Sequence, residues 1–382
     1  MKLMIVSNMA ESLVNFRGPL LRSASSAGHE VVAVAPEPDD PAISILADMG
    51  ARYVSVPLVR TSVAPLPDLR YLLQLWALIG RERPDSLLAY TIKPAVFAVL
   101  AAWMRRVPVR VALVTGLGYT FGAEDMRQRL VGWVASRLYR LAGCCATEVV
   151  FQNPDDRREF VRRGLVSEAK TRVVAGSGID LQRFTASEVP PSRAPTYLLI
   201  ARLIREKGIL DFVEAARLVK RRCPEVRCQL LGPFDTAPGA IAESSVRSWE
   251  EEGVVEYLGV TNDVRPVLHA ASVFVLPSYY REGTPRTALE ALATGRPVIT
   301  TDSPGCRETV EHGVNGLLVP ARDPERLANA MLHFALDPGE IRRMGHASRR
   351  LACRKFDVRT VNRDMFAALE MDVPTAEFPP PR

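Results

Sequence analysis

With 382 residues, 47% of them apolar and 24% charged, the chain has material for about two or three sizeable cores and is too apolar for a disordered polymer. Its net charge of +6 and pI near 9.1 leave three kinds of anionic partner open: nucleic acid, a membrane surface or a charged small substrate. The six cysteines (Cys144, Cys145, Cys223, Cys228, Cys306 and Cys353) form no C-x-x-C pair, which speaks against a metal knuckle and for reduced thiols. Neither a charged leader with a long apolar core nor an apolar run of about 18 residues is present, so neither secretion nor a membrane span is expected.

From the N-terminus, short apolar runs alternate with helical periodicity. Strands are predicted at 2–6, 30–35, 52–56, 86–90, 109–114, 147–151 and 171–175, an alternation that implies a parallel sheet. After the first strand, Asn15, Arg17 and Gly18 precede a predicted helix ending at Gly28, and Gly18 permits close approach of backbone to a ligand. YTIKP follows the fourth strand and TGLGYTFGAED the fifth, where the carboxyl ends of an open sheet build a crevice. Lys93, Thr115, Gly116 and Tyr119 are therefore candidates to line that crevice. Gly116, Gly118 and Gly122 do not complete G-x-G-x-x-G, and a dinucleotide fingerprint belongs at the first strand, so no nicotinamide site is expected.

Positive charge concentrates between Leu100 and Cys145, where seven arginines face Glu124 and Asp125. Leu130, Trp133, Val134, Leu138 and Leu141 interleave with them at helical spacing. The segment 128–141 suits an anionic membrane, with Trp133, Val134 and Leu138 entering it and Arg129, Arg137 and Arg140 meeting head groups. An ordinary packed helix with a solvated face fits the same pattern.

The polar, proline-rich stretch 185–195 reads as a linker, and a second strand series follows at 197–201, 226–231, 254–258, 273–276, 297–301 and 316–319. The expected organisation is a first domain over 1–184 joined by a C-terminal helix at 355–371, a second domain over 196–354, and a tail at 372–382. In ARLIREKGILDF, Arg202 and Lys207 suit a diphosphate: guanidinium grips phosphate oxygens by paired hydrogen bonds, and ammonium acts as a point charge. Gly232 and Pro233 end the next strand in LLGPFD.

Residues 275–301 pass from a buried strand through a polar turn into a helix and back to a strand. Glu282 falls on the turn and Glu290 inside the helix eight positions later, with Pro285 suited to the first turn. A helix start built from Gly283, Thr284, Arg286 and Thr287 can receive a phosphate, leaving one carboxylate for a hydroxyl-rich group beside it and one for what lies beyond. A nucleotide-sugar has that layout.

Glu282 and Glu290 resemble the E-x7-E element of retaining glycosyltransferases of family GT4. The wording REGTPRTALEALATGRPVITTDSPGCRE, with YTIKP and TGLGY, is similar to the bacterial polysaccharide branch, and within it to the N-acetylgalactosaminyltransferases acting on undecaprenyl-diphosphate-linked bacillosamine. The resemblance implies the GT-B fold, α/β, with two Rossmann-like domains facing each other across a cleft. It implies a UDP-sugar as substrate, no cofactor, and a polyprenyl-diphosphate-linked acceptor at the anionic inner face of the cell membrane. It assigns Glu282 to the transferred sugar, Glu290 to the ribose, Arg202 and Lys207 to the diphosphate, and the Gly232–Pro233 region to the nucleobase. By the same resemblance, Arg17 and Gly18 face the donor diphosphate, although the family's paired glycines are reduced to one, and Lys93 meets the acceptor phosphate.

The chain contains no D-x-D, and its five histidines show no metal-like spacing, so a metal is not expected. No histidine lies between His29 and His269, which removes the first-domain histidine that many family members carry. Retaining transfer of an N-acetylhexosamine, GalNAc or GlcNAc, is the expected reaction. A UDP-sugar epimerase on the same architecture is the alternative enzyme. A basic nucleic-acid-binding module is the alternative of another class, although the positive charge lacks the aromatic interleaving of an RNA platform.

Overall fold

The computed structural model describes residues 1–37, 40–59, 65–118, 126–189, 194–237 and 239–372. They form two compact units, one of Met1–Gly178 with the stretch from Val358 onward, the other of Ile179–Asp357.

The first unit runs β1 (Lys2–Val6), α1 (Ala10–Ser26), β2 (Glu30–Ala35), α2 (Asp40–Asp48), β3 (Ala51–Ser55), α3 (Pro65–Glu82), β4 (Ser86–Tyr90) and α4 (Ile92–Met104). It continues with β5 (Val109–Val114), α5 (Met126–Cys145), β6 (Glu148–Phe151), α6 (Pro154–Arg162) and β7 (Thr171–Val173). Among the described residues, the strands make one parallel sheet in the order β3-β2-β1-β4-β5-β6-β7. Parallel sheets are covered on both faces, which is why β4 is buried at every position. One face packs under α3 to α6 around Tyr71, Leu75, Val99, Tyr139 and Phe160. The other packs under α1 and α2 around Leu13, Leu20 and Leu46.

The second unit runs β8 (Thr196–Ile200), α7 (Ile209–Arg222), β9 (Arg227–Leu231), α8 (Glu243–Glu251), β10 (Glu256–Tyr257), α9 (Arg265–Ala270) and β11 (Val273–Leu276). It ends with α10 (Arg286–Ala293), β12 (Val298–Thr301), β13 (Gly316–Val319), α11 (Pro324–Leu336) and α12 (Pro338–Lys355). Its parallel sheet has the order β10-β9-β8-β11-β12-β13. The last helix, α13 (Val358–Ala368), returns to the first unit, where Val361, Met365 and Phe366 join the core under α1.

In both sheets the strand order reverses beside the first strand, between β1 and β4 and between β8 and β11. Loops leaving opposite ways at such a point open a crevice at the carboxyl edge. That topology selects the loops after β8 and β11 as the place for a ligand in the second unit.

Three expectations need correction. First, α1 starts at Ala10, so Arg17 and Gly18 lie inside it rather than on a loop before it. The apolar spacing of Leu13, Leu20, Leu21 and Ala24 carries the helix through Pro19, and a Cβ on Gly18 would sit 2.9 Å from Met49 Cε. Gly18 thus packs α1 closely against Met49. Second, the boundary between units falls after Gly178, and the stretch read as a linker is anchored inside the second unit. Fully buried Arg296 donates to Ser187 O at 2.9 Å and Ser187 Oγ at 2.6 Å, and also to Leu268 O and His269 O. Third, Leu138 of α5 packs on the core, while Trp133, Arg137 and Arg140 face outward. The side chains of Arg129 and Leu130 lie outside the described residues.

Burial lowers the Arg296 pKa to about 10, so the guanidinium stays charged at neutral pH, and carbonyls and a hydroxyl surround it. Replacing it would strand those acceptors in the interior. Arg296→Met is expected to cost about 3 kcal/mol of stability in urea denaturation, and a loss under about 0.5 kcal/mol would show the network to be dispensable.

Candidate active site

The loop after β8 carries Arg202 and Lys207, and the turn after β11 carries Glu282. The two are pressed together. Gly208 adopts φ +76°, and a Cβ there would sit 2.2 Å from Pro277 O, so only glycine allows this approach. The Glu206 carbonyl accepts from the amides of Tyr279 at 2.9 Å and Tyr280 at 3.0 Å, which fixes the turn to the loop backbone. Lys207 Nζ lies 2.7 Å from Glu282 Oε1, and Ser278 Oγ donates to the same oxygen at 3.0 Å. Both side chains of this ion pair are largely buried. Its partners, 75 positions apart in the chain, are joined only by the fold.

On its other side the turn is held by the loop after β12. Gly305 has φ +79°, and a Cβ there would meet Glu282 O and Gly283 O at 2.4 Å. Beside it the Cys306 thiol is buried and its pKa is pushed up to about 12, mainly by desolvation, so it remains a protonated, unreactive group.

Gly283, Thr284 and Pro285 are buried where α10 begins, and Thr287 is half-buried on its first turn. Glu290 lies on the second turn, 8% exposed, and Arg286 Nε donates to its Oε1 at 3.1 Å. Burial pushes the Glu290 pKa up, Arg286 and Arg183 oppose the shift, and Asp263 adds to it. A buried carboxylate next to a helix start has unspent acceptor capacity, which hydroxyl donors of a ligand can use.

Arg202 is half exposed and bonds Asp235 Oδ2 at 2.7 Å. Gly232, at φ +145°, has no room for a side chain, since a Cβ would lie 1.9 Å from Ala201 O. Its amide donates to Gly259 O at 2.9 Å and its carbonyl accepts from Tyr257 Oη at 2.9 Å, while Pro233 O accepts from Leu203 N. Gly232 and Pro233 thus knit the end of β9 to the Arg202 loop.

In the first unit, Arg17 is 2% exposed, with its guanidinium 5.4 Å from the Tyr90 ring centroid at the end of β4. Lys93 is on the first turn of α4, not a free loop, and its ammonium bonds Asp68 Oδ1 at 2.6 Å and Val59 O at 2.7 Å. Thr115 and Gly116 follow β5, with Gly116 at φ +118°. Tyr119 lies outside the described residues.

Sequence reasoning gave no individual role to Thr91, Asp235, Arg183 or Asp263, although Thr91 lies in YTIKP and Asp235 in LLGPFD. Thr91 adopts φ +66°, costly for a β-branched residue, and its Oγ1 is buried with no hydrogen-bond partner among the described residues. Its signal was a threonine directly between a strand and a helix, at the carboxyl edge of β4. The other three come from segments remote from one another in sequence, and only the fold brings Asp235 to Arg202 and Arg183 and Asp263 to the surroundings of Glu290.

Residues 194–337 match the family model "Glycosyl transferases group 1", and residues 18–176 match "Glycosyl transferase 4-like domain". A Campylobacter jejuni N,N'-diacetylbacillosaminyl-diphospho-undecaprenol alpha-1,3-N-acetylgalactosaminyltransferase is 28% identical over 86% of this chain and 88% of its own. An Escherichia coli UDP-Gal:alpha-D-GlcNAc-diphosphoundecaprenol alpha-1,3-galactosyltransferase is 24% identical over 76% of each chain. Anabaena HepE, solved with UDP and glucose, has a TM-score of 0.77 at 19% identity, over 97% of this chain and 99% of that one. The structural likeness identifies the fold as that of the GT-B glycosyltransferases. The chain belongs to the GT4 glycosyltransferase family, whose two models between them span most of it. Membership in a transferase family replaces the epimerase alternative.

Because the folded-state pKa of Glu290 is raised, its ionised form costs stability above that pKa. Below the ordinary value of 4.5, folded and unfolded chains both hold the proton and the cost is absent. Glu290→Gln is therefore expected to raise the urea midpoint of the unliganded protein near neutral pH, with a gain that fades as pH falls through the raised pKa. A midpoint at neutral pH unchanged or lowered by the substitution would contradict this electrostatic account.

Proposed function

We propose that this enzyme transfers an N-acetylhexosamine, GalNAc or GlcNAc, from a UDP-sugar to an undecaprenyl-diphosphate-linked saccharide, with retention of configuration and without a metal ion, in bacterial surface polysaccharide or glycan assembly. The observation that carries the reading is the Lys207–Glu282 contact at the amino end of α10, with Glu290 buried one turn further on. The relatives, whose names give diphospho-undecaprenol acceptors, support the acceptor class.

In this reading the donor diphosphate lies against Lys207 and Arg202, and Glu290 accepts from the ribose hydroxyls. Lys207 and Arg202 are held by Glu282 and Asp235 until the diphosphate arrives. Negative charge grows on the leaving phosphate as the glycosidic bond breaks, and the two fixed cations oppose it most in the transition state. Glu282, released from Lys207, turns its carboxylate to the transferred sugar, whose ring becomes positive at the same moment. The departing phosphate takes the acceptor proton on the face it leaves, so retention needs no separate base. In this reading the two cations, rather than a metal ion, take up the charge of the diphosphate. Work on a lipid-linked acceptor puts the enzyme at the cytoplasmic face of the cell membrane as a peripheral protein. Among the described residues no helix is long and apolar enough to cross it.

The test is a UDP-sugar panel with a lipid-diphosphate acceptor, the product's anomeric configuration being read by NMR. An inverted product, or activity that disappears with chelator and returns with manganese, would remove the mechanism. Glu290→Ala is expected to weaken donor binding by about 1.5 to 3 kcal/mol, roughly 10 to 150-fold in calorimetric Kd. Glu282→Ala is expected to lower kcat instead, because its charge matters most at the transition state.

A further inference from the structure

Helix α3 leaves an apolar stripe uncovered. Leu66, Leu69, Leu73 and Trp76 recur at helical spacing with exposures of 80, 51, 55 and 38%, while Tyr71, Leu75, Leu78 and Ile79 on the opposite side are buried in the core. Single exposed apolar residues are ordinary, but a continuous run on one face marks an interaction surface.

Two tethers widen the stripe across α4. At one end, the bonds from Lys93 to Val59 O and Asp68 draw exposed Val59 and Ile92 beside the first turn of α3. At the other, the Arg105 guanidinium stacks 3.4 Å from the Trp76 ring centroid and donates to Trp76 O, two positions after exposed Trp103. Cations flank the stripe: Arg70, Arg81, Arg105 and Arg106 are exposed. The acids of α3 offset only part of this: Asp68 is paired with Lys93, and Glu82 is shared among Arg52, Lys2 and Arg81, which leaves Arg70, Arg105 and Arg106 as the flanking charge.

We propose that this face docks on an anionic lipid bilayer, with α3 lying in the interfacial plane and Leu66, Leu69, Leu73 and Trp76 inserted. Apolar side chains between arginines match a surface whose anionic head groups lie above its acyl chains, and indole belongs at that boundary. A second copy of the chain fits worse, because its own arginines would be brought against these. The placement also suits the lipid-linked acceptor, and in that respect the inference rests on the function proposed above. The Val59–Ile92 end of the stripe lies at the carboxyl edge of β4, beside Thr91, so a lipid diphosphate leaving the bilayer there would deliver its phosphates to that edge. Helix α5 is a lesser contributor, since Leu138 is turned to the core and Trp133 remains as an exposed aromatic between arginines.

The test is sedimentation of the full chain with phosphatidylcholine vesicles containing phosphatidylglycerol, with neither donor nor acceptor present. The variant Leu66→Ser, Leu69→Ser, Leu73→Ser is expected to partition roughly 100-fold more weakly, whereas Arg137→Gln with Arg140→Gln stays within about threefold of the unaltered chain. Undiminished binding of the triple variant overturns the proposal, and so does an equal loss in the α5 variant. A dimer of the unaltered chain that the triple variant dissolves in sedimentation velocity would assign the face to a second copy instead. Should the triple variant fail to fold, lipids brominated along the acyl chain are expected to quench the tryptophan emission of the vesicle-bound unaltered chain, and Trp76→Phe to remove much of that quenching. Absence of quenching also overturns it. A chain that docks through α3 yet transfers no sugar would leave this proposal standing and defeat the reaction proposed above.

Discussion

The contact between Lys207 and Glu282 is the constraint around which the second unit is arranged. Bringing an ammonium and a carboxylate together in a largely buried place costs hydration on both sides, and the attraction compensates only when the geometry is tight. The fold supplies that geometry through backbone. The Glu206 carbonyl gathers the Tyr279 and Tyr280 amides, Gly208 lets Pro277 close in, and Gly305 lets the next loop back the turn. None of these three devices tolerates a larger or freer arrangement, so the charged pair stands on parts of the chain that have little room to move.

Glu290 illustrates a different compromise on the same helix. Glu282 has a cation at 2.7 Å, whereas Glu290 is buried with an arginine from its own helix at 3.1 Å and weaker help from Arg183. Its carboxylate is held in the less comfortable state, with acceptor capacity unspent. Such a group destabilises the empty protein and favours any ligand that supplies hydroxyl donors, which is how a binding site comes to be marked by electrostatic cost.

The first unit uses the same sheet topology with other chemistry at its reversal point. Arg17 is buried against Tyr90, and Thr91 is held in a backbone conformation that its branched side chain disfavours. Away from that edge, α3 turns one side inward to the core and the other outward as an apolar stripe. A single amphipathic reading of α3 would have accounted for only the inward side.

Element order and strand positions were legible in the chain because parallel strands covered on both faces are near-continuous apolar runs, and glycine and proline punctuate them. The turn and helix holding Glu282 and Glu290 were legible for the same reason, since their spacing is local. The start of α1 was not, because Gly18 and Pro19 look like a break and only burial against Met49 shows why the helix runs through them. The linker reading failed similarly: Ser187 looks like part of a polar, unattached stretch until Arg296, more than a hundred positions away, takes hold of it. Lys93 was read by its charge, and Asp68, 25 positions earlier, decides what that charge meets. Local periodicity determines which segments become strands and helices, because it needs only near neighbours. Which cation meets which carboxylate, and which apolar side is left for a partner, depends on contacts between distant segments, and those exist only once the sheets have assembled.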